Sequence, residues 1–114
     1  MAARSTTWTI LNATAFDFTL VSATATGGVF AVSAPNVIKS GESGSFRAES
    51  DGFATGDEGT VIYSIPDGHF SFYFDNPFIG SDDYSVTPPP SYNASTSETT
   101  GNDQVLSSRC FKPD

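Results

Sequence analysis

Phe70, Phe72 and Phe74 alternate along a run that follows Pro66-Asp67-Gly68, and this pattern restricts the chain more than any other. Strand side chains point to opposite faces with period two, so the three rings share one face and Tyr73 takes the other. Pro presets one backbone angle of the turn and Gly permits a positive one. The run His69 to Asp75 is therefore the return strand of a hairpin whose first strand is Thr60 to Ile65. Helical periodicity is absent almost everywhere, and the other short runs are separated by Gly, Asn, Asp and Ser.

Trp8 and Ile10 share a face, the bend Asn12-Ala13-Thr14 follows, and Phe16, Phe18 and Leu20 share the next face. These two runs are expected to form an N-terminal hairpin. Val29 to Ser33, Ser43 to Glu49 (Phe46 and Ala48 inward) and Tyr84 to Val86 supply further strands. About eight strands at this spacing imply an all-β fold, a single-domain β-sandwich of short antiparallel strands. Hydrophobic residues make up only 38% of the 114, but ten Phe, four Tyr and one Trp carry a large buried area per residue.

From Thr87 the composition changes to Thr-Pro-Pro-Pro-Ser-Tyr-Asn-Ala-Ser-Thr-Ser-Glu. Proline cannot donate to a sheet and the Ser/Thr run has little to bury. The expected organisation is a sandwich over 1–86 and a proline/serine-rich, disordered or divergent tail over 87–114.

A formal charge of −8 with five Lys and Arg excludes nucleic acid as a partner and disfavours anionic membranes. Neutral or zwitterionic lipid, sugar and protein remain. Cys110 is the only cysteine, so no internal disulfide supports the fold. The N-terminus has no apolar stretch of secretory type and no run reaches the ~18 residues of a membrane helix. The expectation is a soluble protein made in the cytoplasm that acts on target membranes if released. The sequons at Asn12 and Asn93 then carry no weight. Nucleophile elbow, phosphate loop and zinc spacing are all missing. His69 beside a turn reads as a solvated side chain, and Asp57-Glu58 and Asp82-Asp83 as ordinary acidic turns rather than calcium ligands. No enzyme activity, no cofactor and no metal are expected.

The residues that stand out are aromatic. Tyr73 points away from the core face, and Phe78-Ile79 lies in the loop Asp75-Asn76-Pro77-Phe78-Ile79-Gly80. With Tyr84 they make a set suited to a membrane interface, where amphipathic rings are favoured.

Two segments carry a resemblance: Asp51 to Ile65, with its Gly-Asp-Glu-Gly-Thr block, and Phe72 to Tyr84, with Phe-Asp-Asn-Pro-Phe. They resemble the aegerolysins, and within them the small component of the binary insecticidal crystal toxins. The likeness runs from about Trp8 to Tyr84. It implies a β-sandwich that binds sphingolipid-rich membranes and recruits a larger pore-forming partner protein, as a toxin component in cytolysis or hemolysis. The family's tryptophan-containing signature falls on Phe74-Asp75-Asn76-Pro77-Phe78, and its N-terminal tryptophan on Trp8. Its headgroup-reading glutamate matches Glu58 by local motif, whereas Thr55 matches by counting back from the next strand. The aromatic reading and the resemblance together give an expected membrane-binding set of Trp8, Glu58, Tyr73, Asp75, Phe78 and Tyr84. The alternative is a non-lytic carbohydrate- or protein-binding sandwich.

Overall fold

The computed structural model describes residues 3–114. Among them there is no helix, and ten strands form two five-stranded sheets. The strands are β1 (Ser5–Ala13), β2 (Phe18–Gly27), β3 (Val29–Val32), β4 (Val37–Ile38) and β5 (Ser43–Glu49), then β6 (Asp57–Ile65), β7 (Gly68–Asn76), β8 (Asp83–Thr87), β9 (Asn93–Thr99) and β10 (Asp103–Phe111). One sheet runs β3-β5-β1-β10-β9 and the other β4-β2-β6-β7-β8. The all-β sandwich expected from the alternation is the observed architecture.

The β6–β7 hairpin is as the sequence implies. Ile65 pairs with Gly68 across Pro66-Asp67, and Phe70, Phe72 and Phe74 are all fully buried. Their rings meet Phe18 and Tyr63 of the same sheet and Trp8 and Phe46 of the opposite one, in tilted, stacked and edge-to-face pairs. Aromatic packing thus supplies the area that a low aliphatic content withholds.

Two expectations are corrected. Residues 87–114 are not a tail: β10 lies inside its sheet between β1 and β9, and it buries Gln104, Leu106, Ser108 and Cys110. The inward positions of β10 are mostly polar or small, so no apolar alternation marks it. It pairs in parallel with β1 over nine residues, Ser5 with Asp103 through Ala13 with Phe111, in an otherwise antiparallel sandwich. The N-terminal pair, in turn, is not a hairpin. β1 and β2 belong to different sheets, because the chain crosses at Asn12-Ala13-Thr14. Asn12 anchors that crossing: its Nδ2 donates to the carbonyls of Phe16 and Ile38, and its Oδ1 accepts from Thr14. Phe16 is left exposed while Phe18 enters the core. The Asn12 sequon is fully buried.

Candidate functional site

Strand register collects several connections at one end of the sandwich. Glu49 pairs with both Ser5 and Val29, Gly27 with Glu58, Asp57 with Asn76, and Ser5 with Asp103. The β2–β3 turn, the β5–β6 loop (50–56), the β7–β8 loop (77–82) and the β9–β10 turn therefore share this end. Two glycines make the approach possible. A Cβ on Gly28, at φ +77°, would strike the Glu49 carbonyl oxygen, and one on Gly56 would strike the carbonyl oxygen of Asn76. Gly56 thereby lets the β5–β6 loop lie on the start of the β7–β8 loop.

Two large apolar side chains project from these loops. Phe53 is 99% exposed and Ile79 is 86% exposed. Phe53 and Phe78 line one groove of about 620 Å³, together with Val29, Glu49 and Asp51. A second groove of about 380 Å³ is lined by Gly28, Thr55, Glu58, Asp75 and Phe78. Phe78 is half-buried rather than free, because Arg4 covers it. The guanidinium lies 4.8 Å from the ring centroid, its Nη2 donates to the Phe78 carbonyl at 2.7 Å and its Nε to that of Pro77 at 3.3 Å. A charge over an aromatic face and two hydrogen bonds fix the loop against the first strand. Sequence reading found Phe78 and Ile79 but missed Phe53 and Arg4. Phe53 follows Asp51-Gly52 in a turn where a bulky ring has no core to enter, and that was its available signal. Arg4 gave none.

On the outer face of the β6–β7 hairpin, Glu58 and Asp75 stand directly opposite each other. The Tyr73 hydroxyl donates to Glu58 Oε2 at 2.5 Å. Like charges opposite one another are unfavourable. The Asp75 carboxyl is raised above the usual carboxylate range, first by partial burial and then by Glu58, Asp83 and Asp82. Among the described residues the one ion pair is Arg47–Glu49, at 2.9 Å on the other sheet, so neither carboxylate is neutralised. The pair can attract an organic cation, and the Tyr73 ring stands beside it to receive an ammonium face.

Glu58, Tyr73, Asp75 and Phe78 are therefore brought together, as the sequence suggested. Trp8 and Tyr84 are not, and their assignment to a membrane surface is corrected. Trp8 is 0% exposed, its Nε1 donates to Ser108 Oγ at 2.8 Å, and its ring meets Phe46, Phe72 and Tyr84. Tyr84 is the inward, half-buried residue of β8 that closes over Trp8 edge-on at 6.2 Å. Thr55, the other candidate for the headgroup position, lines the same groove as Glu58. His69 is exposed beside the far turn.

No known family profile matches the chain, and no curated protein matches its sequence. Among solved structures, the lipid binding protein Nakanori superposes with a TM-score of 0.82 at 16% identity, over 96% of this chain and 72% of that one. At that identity the likeness establishes the fold.

Proposed function

We propose that the loop end of this sandwich binds the surface of a lipid membrane. The observation that carries the reading is the pair of exposed apolar residues, Phe53 and Ile79, on loops flanking the groove that holds Glu58 and Asp75. Single exposed hydrophobics are commonplace. Two bulky ones on adjacent loops, beside unneutralised carboxylates, match a lipid with apolar chains below a cationic headgroup. The net charge of −8 favours a zwitterionic over an anionic bilayer. The fold shared with a lipid binding protein supports the same reading.

In its finer form, the chain is an aegerolysin-type component that recognises sphingolipid and recruits a larger pore-forming protein, with no catalytic role of its own. The sequence blocks around Glu58 and Phe78 support this form. Burying one such side chain stabilises binding by roughly 1.5–3 kcal/mol. Sedimentation with phosphatidylcholine vesicles, with and without sphingomyelin, tests it. Phe53→Ser and Ile79→Ser are each expected to weaken binding about tenfold, while the melting temperature stays near wild type. The protein alone is expected to bind without releasing entrapped dye. Vesicles that remain unbound at every composition would favour the carbohydrate- or protein-binding alternative.

A further inference from the structure

Asp57 stands at the foot of the loop end, 1% exposed, on the inner face of β6 and opposite Asn76 of β7. Its Oδ1 accepts from the Thr6 hydroxyl at 2.5 Å. The same Thr6 oxygen lies 3.0 Å from Gln104 Oε1 on β10. One hydroxyl hydrogen therefore faces two acceptors.

Both amides are fixed in orientation. Asn76 Nδ2 donates to the carbonyls of Ser5 and Asn102, each at 2.9 Å, and Gln104 Nε2 donates to the Asp83 carbonyl at 3.1 Å. Flipping either would set oxygen against oxygen. Among the described residues no donor reaches Asn76 Oδ1, and none reaches Asp57 Oδ2. These two atoms belong to facing residues of one ladder. A buried acceptor without a donor is costly, and a buried carboxylate without a cation more so.

We propose that Asp57 is a proton-operated latch: with a proton on Oδ2 it donates to Asn76 Oδ1, and the Thr6–Asp57–Asn76 chain then ties β1 to the base of the β6–β7 hairpin. A single proton satisfies both orphaned oxygens. Ionisation removes the donor and leaves a charge between the sheets. The latch connects the N-terminal strand to the strands that carry Glu58 and the loops of Phe53 and Phe78, and it does not depend on what those loops bind.

Burial is the largest influence on this carboxyl and raises it from 3.8 to about 6. The Thr6 hydrogen bond and Arg47 of β5 pull it down, while Asp82 and Asp75 push it further up. Thr6 and Gln104, the contacts from β1 and β10, are uncharged, and Glu58 follows on the opposite face of β6. Because the folded value lies above the unfolded one, the unfolded chain releases this proton first. Stability from the latch is complete below the ordinary carboxylate range and is lost as pH rises through about 6.

Asp57→Asn places an amide where the protonated carboxyl stands. It keeps an acceptor for Thr6 and gives Asn76 a permanent donor. Thermal unfolding of wild type and Asp57→Asn is compared from below pH 3.8, where an ordinary carboxyl is protonated, to neutral pH. The two are expected to melt together at the acidic end, and wild type to fall progressively below the variant toward neutrality. Parallel curves, or a variant less stable at neutral pH, would overturn the latch. A carbon-13 titration of the Asp57 carboxyl in the wild-type protein keeps the test open should the variant fail to fold. A midpoint near 6 is expected, and one in the ordinary range near 3.8 overturns it.

Discussion

The Tyr73 hydroxyl donates to Glu58 Oε2 at 2.5 Å while Asp75 confronts Glu58 from the partner strand. The fold gains nothing from facing two carboxylates across a ladder, so removing one should relieve it. Glu58→Gln and Asp75→Asn are expected to raise stability slightly at neutral pH, by no more than ~1 kcal/mol since both groups meet solvent. The Asp75 value is raised, so this relief vanishes as pH falls and the carboxyl is protonated. The same variants are expected to weaken vesicle binding several-fold. Melting curves read beside sedimentation check the pair of effects, and a loss of stability with binding intact would remove the site from this face.

Trp8, the only tryptophan, reports on the core rather than the surface. Its emission is expected to be blue in the free protein and unchanged when vesicles are added. A lipid-induced shift would place it at the membrane. Trp8→Ala removes the centre of the aromatic cluster and should cost ~3–5 kcal/mol, enough to unfold much of the population.

Truncation before β9 is expected to abolish folding rather than trim an appendage. It removes β10, the neighbour of β1, and with it the Ser108 hydroxyl that satisfies the Trp8 indole. Circular dichroism of a chain ending at Val86 should lack the strand minimum, and limited proteolysis of the whole chain should spare 93–111.

Cys110 is buried in β10, and burial pushes its thiol up to about 12. The thiolate is the reactive form. Native protein is therefore expected to resist a disulfide-exchange reagent at neutral pH and to react once unfolded, a difference read by colorimetry.

The sequence displayed the β5, β6 and β7 strands because Phe46, Val61, Tyr63, Ile65, Phe70, Phe72 and Phe74 alternate there with mostly polar outward residues. β9 and β10 were hidden because Gln104, Ser108 and Ala94 occupy inward positions that contrast little with their neighbours. Their placement depends on β1, about a hundred residues earlier, whose pairing no local window contains. Trp8 was misread for a related reason. An amphipathic ring at the N-terminus suits a membrane equally well until Ser108 is known to satisfy its nitrogen. Tyr73 and Phe78 were legible because one breaks the phase of the hairpin's inward face and the other follows a proline.

The parallel pairing of the first and last long strands also sets how the molecule bears load. β1 begins at the loop end and β10 finishes at the other, side by side over nine residues. Tension between the two ends of the chain runs along that seam and drives the strands past one another. Such a geometry strains the whole row of interstrand hydrogen bonds together instead of opening them one at a time from an end. A sandwich built this way resists extension through its termini as a lap joint does. The same force applied across the β6–β7 hairpin would peel it open.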